Sequence, residues 1–200
     1  MGAMESPVDR RETRRRDVIE AACRVILRDG VGGASMKAIA RELGTTVGVI
    51  THNFSDKDEL VRLALHHVVG DLFETAVTST AHLQGMERLR RMLEEALPTT
   101  PARRERWQVW VSFLGEIMGS KALLEDERAQ NGRFVRAIAD SLGELREAGE
   151  LSPDVEPKRE ARAAMSLVDG LGLDAVLHPN LYPPAFQRAL IARYVDQLTG

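Results

Sequence analysis

The sequence predicts an all-α protein of about nine helices, because its apolar residues recur at helical spacing along most of the chain. Valine, isoleucine and threonine are scattered, and only 4% of the residues are aromatic, so strands are not favoured. Glycines and prolines fall between the periodic segments, where helices are expected to end. The chain is long enough for two domains, which we predict over residues 5–57 and 58–200.

The first helix is expected over about residues 11–29, and Gly30 ends it. Gly32 and Gly33 then form a turn that leads to the next helix. The residues predicted on the buried face of this first helix are Val18, Ile19, Ala22, Val25, Ile26 and Leu27.

A pair of short helices is predicted within residues 35–57. The Ser35 hydroxyl can cap the first of them, whose apolar residues Met36, Ile39, Ala40 and Leu43 share one face. Gly44 follows, where a left-handed backbone costs a glycine nothing. Thr45 and Thr46 then offer a cap for a second short helix, with Ile50 and Phe54 in the core. Two short helices joined by a tight glycine turn form a helix-turn-helix.

The remaining helices are bounded by capping residues, glycines and prolines. A long fourth helix is expected after Ser55, which forms a weak capping signal with Asp58, and it extends to about Thr80. The last five helices are predicted over about residues 86–97, 102–119, 122–149, 157–177 and 184–198.

The outer face of the second short helix suits the base edges of a DNA major groove, because its residues are small or hydrogen-bonding and uncharged. We expect Ser35 and Lys57 on phosphates. The full set of predicted DNA-binding residues is Ser35, Lys37, Thr45, Thr46, Val47, Gly48, Thr51, His52, Asn53 and Lys57. Two alternatives stay open: Gly48 would also suit close contact with a neighbouring helix, and His52 would also suit a packed or phosphate-facing position.

Charge is distributed unevenly along the chain, whose formal net charge is -3. Residues 1–57 carry ten Lys and Arg against eight Asp and Glu, a difference of +2, which leaves -5 for the remainder. The basic residues crowd near the N-terminus at Arg10, Arg11, Arg14, Arg15 and Arg16. This density favours phosphate contacts, with a solubilising terminus as the alternative.

The order of these motifs resembles the TetR family of bacterial transcriptional repressors. The resemblance lies in Ser-Met-x-x-Ile-Ala-x-x-Leu-Gly from Ser35 to Gly44, Thr-Val-Gly-Val-Ile-Thr-His-Asn-Phe from Thr46, and Ser-Asp-Lys-Asp-Glu-Leu from Ser55. The Ile-Thr-His-Asn-Phe segment is similar to the BetI-type branch, which has Ile-Ser-His-Tyr-Phe there. Asn53 departs from the aromatic residue of the family, and an asparagine can bind a phosphate or an adenine edge instead.

The resemblance implies a homodimer, with an N-terminal domain that reads a palindromic DNA operator and a C-terminal helical domain that binds a small-molecule inducer. In the family the last two helices form a four-helix dimer interface, and here those helices are rich in Ala, Gly, Leu and Met. The candidates for the interface are Met165, Val168, Leu171, Ala175, Ala189, Ile191 and Tyr194. The alternative is that these residues belong to the intramolecular core.

Aromatic residues concentrate in the predicted helix at 102–119 and suggest a ligand pocket. The candidates are Phe73, Trp107, Trp110, Phe113, Glu116, Met118 and Phe134. Aromatic rings beside a carboxylate can hold a quaternary ammonium group, and the BetI-type resemblance makes a choline-like ligand conceivable. The alternative is a purely structural aromatic core.

Other classes of protein find less support in the sequence. No nucleophile-base pair, phosphate-binding loop or metal-ligand spacing indicates an enzyme, and we expect no catalytic residues, cofactor or metal. Cys23 is the one cysteine, and no signal peptide or membrane span is evident, so we expect a cytoplasmic protein with no membrane partner. An activator or a corepressor-dependent regulator would have the same sequence, and a helical interaction protein without specific DNA binding is a further alternative.

Overall fold

The computed structural model describes the backbone of residues 7–199 and the side chains of residues 11–70 and 72–199. Within these residues all regular structure is α-helical, which confirms the predicted fold class. The helices are α1 (Pro7–Gly33), α2 (Met36–Glu42), α3 (Val47–Asn53), α4 (Lys57–Ser79), α5 (Gly85–Glu95), α6 (Pro101–Gly119), α7 (Lys121–Glu147), α8 (Pro157–Leu177) and α9 (Pro184–Asp196). The predicted domain start at residue 5, and residue 200 at the end of the second domain, lie outside the described residues.

The helix boundaries lie close to the predicted ones, and the largest difference is at α1. This helix begins at Pro7 instead of near Arg11, and its helical geometry is interrupted at Gly30, where φ is 72°. Leu27 was predicted on the buried face of α1, but its side chain is exposed. That prediction was wrong because Val25 and Ile26 already occupy the inner face, and position 27 is turned a further 100° or so around the helix.

Side-chain caps fix the start of α2 and of α4, whereas Thr46 precedes α3 without a side-chain cap bond, so the predicted Thr46 cap was wrong. The Ser35 hydroxyl accepts a hydrogen bond from the Ala38 amide at 3.1 Å, as predicted. At α4 the cap is Asp56, whose carboxylate accepts from the Glu59 amide at 2.7 Å, while the Ser55 amide and hydroxyl both donate to the Glu59 carboxylate. The weak Ser55 signal was therefore one position early, because aspartate at 56 caps the helix in its place.

Two hydrophobic cores meet along α4 and α6. The first core joins α1, α2, α3 and the first half of α4 to Val109, Phe113 and Ile117 of α6. The second core joins the far half of α4 to α5, α7, α8 and α9, with Trp107 of α6. The predicted boundary at residue 57 coincides with the start of α4, yet the core beneath α2 and α3 continues well beyond it.

Close packing of α6 against α8 depends on Gly172. A Cβ atom at this position would lie 2.2 Å from the Trp107 ring, so only a glycine fits without movement of the backbone or the ring. The Trp107 indole donates a hydrogen bond to the Ala96 carbonyl at 2.9 Å. Trp107 of α6 is thereby held against the end of α5 and against α8.

Candidate DNA-binding surface and ligand cavity

The outer face of α3 is exposed and carries no fixed charge, as the sequence predicted. The predicted residues that lie exposed on it are Thr46, Val47, Gly48, Thr51 and His52. The Thr51 hydroxyl donates back to the carbonyls of Val47 and Gly48, at 3.2 and 3.3 Å. Its oxygen and its methyl group remain on the surface, where they could meet a base edge.

Gly48 has open space around it. A Cβ atom there would meet only the Thr46 hydroxyl, at 3.7 Å, which is an ordinary contact. A tight contact with a neighbouring helix therefore does not explain this glycine. The space beside Gly48 is open on the outer face of α3.

Asn53 does not belong to the exposed face. Its side chain is only 8% exposed, and its amide nitrogen donates to the Val49 carbonyl at 2.8 Å. Position 53 follows the buried Ile50 by three residues and so lies on the inner side of α3. The prediction that its side chain faces the groove was wrong.

The other predicted DNA contacts surround α3. Lys37 is exposed on α2, and Lys57 is half-buried in the first turn of α4. Thr45 is half-buried in the turn, and Ser35 is exposed, although its hydroxyl is already engaged in capping α2. These four residues lie on the elements that flank α3.

The N-terminal arginines divide into two groups. Arg11, Arg14 and Arg16 are exposed on α1, whereas the Arg10 side chain lies outside the described residues. Arg15 is half-buried: it donates to the Asn53 carbonyl, lies over the Phe54 ring and pairs with Glu59 at 3.6 Å. Arg15 therefore connects α1 to the end of α3 and the start of α4, and it is not aimed at an external phosphate.

A cavity of about 340 Å³ lies between α4 and α7. Its apolar wall includes Phe73 and Phe134, whose rings stack with centroids 4.6 Å apart, together with Val77 and Ala137. Gln130 and Arg133 supply polar groups from α7. A mostly apolar cavity with a few polar groups of known direction is the usual form of a small-molecule site.

Five of the predicted ligand residues lie away from this cavity. Trp107 belongs to the second core with Trp110 packed edge-to-face against it, and Phe113 belongs to the first core. Met118 is 78% exposed. Glu116 lines a larger cavity, of about 740 Å³, between the start of α4 and the junction of α6 with α7. The aromatic spacing on α6 therefore reflects packing on two cores, and the predicted aromatic box with its carboxylate does not form.

Most of the predicted dimer residues are buried within the single chain. Met165, Val168, Leu171, Ala175 and Ile191 are buried in the core of the single chain, which is the alternative that the sequence left open for them. Tyr194 is half-buried and donates to the Glu160 carboxylate at 2.6 Å, and Ala189 is exposed. The larger apolar residues face the chain's own α7, α6 and α5, because those are the most favourable residues to bury.

Apolar side chains near the link between α8 and α9 are exposed instead. They are Leu177, Leu181 and Phe186, and Leu181 is 71% exposed. The sequence did not predict these residues as exposed, because two lie at helix ends and one lies in a proline-rich link, where helical periodicity gives no signal. The signal available in the sequence was the presence of leucines beside and within a segment that prolines break.

Two carboxylates approach each other between α7 and α8. Burial, and to a smaller extent the negative charge of Glu127, raise the pKa of Asp169 to about 7. Burial also raises the pKa of Glu127. At neutral pH a substantial fraction of the Asp169 carboxyl is therefore protonated.

Within the described residues, no helix combines the length and the apolar character needed to cross a membrane.

A helix-turn-helix on a helical domain with its own cavity is the arrangement of a DNA-binding regulator. Residues 18–64 match the family described as "Bacterial regulatory proteins, tetR family". Residues 85–200 match "BetI-type transcriptional repressor, C-terminal". The chain belongs to the TetR family of transcriptional regulators, with a BetI-type C-terminal part, and its relatives are regulators and not enzymes.

Relatives of known sequence and structure match along nearly the whole chain. The HTH-type transcriptional regulator PksA of Bacillus subtilis is 31% identical over 191 residues, which are 94% of this chain and 90% of PksA. BetI of Paraburkholderia phymatum is 26% identical over 193 residues, or 96% of this chain and 95% of BetI. A regulator from Saccharomonospora viridis, solved in complex with choline, has a TM-score of 0.82 and 25% identity, over 92% of this chain and 96% of that one.

Proposed function

We propose that the protein is a repressor that binds a palindromic operator as a homodimer and is released from it by a small molecule. The observation that carries the proposal is the exposed, uncharged face of α3 around Gly48 and Thr51. One such helix reads only a few base pairs, so two copies on a two-fold site are needed for affinity and specificity.

The dimer is inferred to form through the exposed sides of α8 and α9. Leu177, Leu181 and Phe186 give this end of the molecule an exposed apolar surface. Two-fold pairing would cover these side chains and bring two copies of α3 into a fixed relationship. Successive major grooves on one side of DNA are about 34 Å apart, and the pairing must match that distance.

Ligand release is inferred to act through α4. This helix begins beside α3, where Asp56 caps it, and its far half lines the cavity at Gly70, Phe73 and Val77. A ligand that favours one spacing of α4 and α7 would favour one separation of the two α3 helices. The choline complex of the Saccharomonospora viridis regulator supports a small-molecule ligand as such.

The test is binding of the purified protein to the DNA flanking its own gene, across a salt series. We expect sequence-dependent binding that weakens with salt and is reduced at least tenfold in Thr51→Ala and in His52→Ala. Thr75→Ala and His82→Ala, at exposed positions on α4 and beyond it, are matched controls and should bind like the parent.

Transcription from the bound promoter separates the remaining alternatives. A repressor lowers transcription when it is bound, and its ligand restores transcription. An activator raises transcription, and a corepressor-dependent regulator binds more tightly with its ligand than without it. Absence of specific binding at every salt concentration, also after selection from random DNA, would contradict the proposal.

A further inference from the structure

We propose that the cavity between α4 and α7 binds an uncharged ring compound that carries a carbonyl oxygen, and that Gln130 recognises this oxygen. The inference rests on the proposed function, since the compound would be the ligand that releases DNA. Three features of the cavity carry it: an unpaired amide donor, an apolar wall of ring size and a balanced charge at the rim.

The amide of Gln130 is buried but incompletely bonded. The residue is only 5% exposed, and its Nε2 atom has no hydrogen-bond partner in the part of the chain that the structure describes. Arg133 donates to the Oε1 atom of the same amide. A guanidinium can only donate, so this bond fixes the amide orientation and leaves the NH₂ group unpaired.

An unpaired buried donor is costly, and a ligand with an acceptor would remove that cost. Gly70 on α4 lies across from the amide: a Cβ atom there would be 3.8 Å from Nε2. Because glycine has no side chain, nothing at position 70 covers the amide on the α4 side. Gly70 and Gln130 both line the cavity, so the unpaired NH₂ group of Gln130 lies beside its wall, and we infer that a carbonyl oxygen of the ligand accepts from it there.

The rest of the cavity favours an apolar ring. Phe73, Val77, Phe134 and Ala137 line it, and about 340 Å³ accommodates a one-ring or two-ring compound. The Thr78 hydroxyl donates to the Glu74 carbonyl at 2.8 Å, so it does not offer its proton to a ligand. The amide of Gln130 is then the buried donor available to orient the compound.

Charge at the rim does not favour an ion. Arg133 and Glu74 both line the cavity and both are exposed, and they carry one positive and one negative charge. Their charges oppose each other for any ionic ligand. A quaternary ammonium would also place no acceptor against Gln130, so the buried NH₂ group would stay unpaired.

The experiment measures direct binding of one-ring probes to the full chain without DNA, by calorimetry and ligand-observed NMR. The probes are acetophenone, ethylbenzene, benzoate and benzyltrimethylammonium, which share a ring and differ in acceptor and charge, with 2-acetylnaphthalene as a larger carbonyl compound. We expect at least one of the two ketones to bind at least fivefold more tightly than the other three probes.

Variants of single residues test which side chains cause the preference for a ketone. Gln130→Leu should bind ethylbenzene and acetophenone equally, whereas Gln108→Leu on α6 should keep the parent's preference. Gly70→Leu should fill the cavity and abolish binding of every probe. Without a ligand, Gln130→Leu should melt at the same temperature as the parent or higher, because the variant removes an unpaired donor. A melting temperature lowered by several degrees would mean that the Gln130 amide stabilises the fold, and it would overturn the proposal.

Other outcomes also overturn it: no binding of either ketone, equal binding of ethylbenzene in the parent, or tighter binding of either ion. Failure of the proposed function looks different. If acetophenone or its larger analogue binds through Gln130 but leaves a DNA complex intact, the site stands and ligand release fails. If DNA binds specifically but neither ketone does, regulation by DNA binding stands and the cavity assignment fails.

Discussion

The guanidinium carbon of Arg15 lies 4.6 Å from the centre of the Phe54 ring, so a charge on α1 covers the residue that ends α3. The same guanidinium donates to the Asn53 carbonyl and pairs with Glu59. Three helices, α1, α3 and α4, are thereby connected by one side chain. The position of the DNA-reading helix depends on a residue that need not touch DNA.

Arg15→Ala should therefore lower stability and DNA affinity together. We expect a loss of about 1–2 kcal/mol in the free energy of unfolding, from the ring contact and the hydrogen bond. The salt dependence of DNA binding should keep its slope, because no phosphate contact is removed.

Arg14→Ala is the matched control, since Arg14 is exposed one position earlier. It should leave the melting temperature within about 1 °C of the parent and, if it meets a phosphate, reduce the salt slope by about 1. A reduced slope in Arg15→Ala with unchanged stability would contradict the structural role of Arg15.

Gly172→Ala should destabilise the protein although alanine favours helices. The added Cβ would overlap the Trp107 ring at 2.2 Å, and relief requires movement of a ring that is fixed by its bond to Ala96. We expect a loss of about 1–3 kcal/mol, as for other overpacked cores.

Gly143→Ala on α7 provides the comparison, because nothing lies within 4 Å of a Cβ at that position. There the helix propensity of alanine should act alone and stabilise the protein by up to about 1 kcal/mol. Chemical denaturation of both variants measures the two effects, and equal shifts in the same direction would refute the packing argument.

Stability should fall as the pH rises through neutrality, because of Asp169. Its pKa is about 7 in the folded chain against an ordinary value of 3.8, so the folded state holds a proton that the unfolded state releases. The stabilisation is complete below about pH 4 and is lost as the pH rises towards and through 7. Asp169→Asn should remove this loss.

We expect Asp169→Asn to stabilise the protein by about 2 kcal/mol at pH 8 and to leave it nearly unchanged at pH 4. Thermal melts of parent and variant from pH 4 to 8 measure the difference. The companion variant Glu127→Gln should produce a smaller effect of the same sign, since Glu127 is a secondary cause of the raised pKa. A pH-independent difference would show that the Asp169 carboxyl does not titrate as inferred.

The dimer should dissociate when charge is placed on the exposed apolar end of α8 and α9. Leu181→Glu and Phe186→Glu bury a carboxylate at the proposed interface, which costs several kcal/mol unless it is paired. Sedimentation velocity should report monomers for these variants at concentrations where the parent is a dimer.

Met118→Glu tests whether any new surface charge has the same effect. Met118 is the most exposed of the large apolar side chains that the structure describes, and it lies on α6, away from the α8–α9 link. This variant should sediment like the parent. If Leu181→Glu and Phe186→Glu also sediment like the parent, the interface lies elsewhere.

The sequence predicted the helices well because their ends carry local chemical signals. Ser35 caps α2 with its own hydroxyl, and Pro157 begins α8 where a missing amide proton costs nothing. Such signals act within a few residues and need no knowledge of tertiary contacts. The exposed face of α3 was predictable for the same reason, since Thr51 and His52 lie between buried positions at helical spacing.

The sites that depend on packing partners were harder to predict. Periodicity placed Val168 and Ile191 on apolar helix faces, but it did not show that other helices of the same chain cover those faces. Trp107 and Phe113 of α6 belong to two different cores, which a one-dimensional spacing cannot distinguish from a shared pocket. Gln130 gave no sequence signal, because the lack of a partner for its Nε2 atom among the described residues is visible only in the folded structure.

The shared role of α6 bears on how this regulator can acquire new specificities. Val109, Phe113 and Ile117 complete the core on which the helix-turn-helix rests. A recombination event that joined the first 57 residues to a foreign C-terminal half would therefore leave that core unfilled, unless the donor carried matching side chains. New ligand specificities should arise more easily by substitution on the α4 and α7 faces than by exchange of whole domains, and an isolated N-terminal fragment should not fold alone.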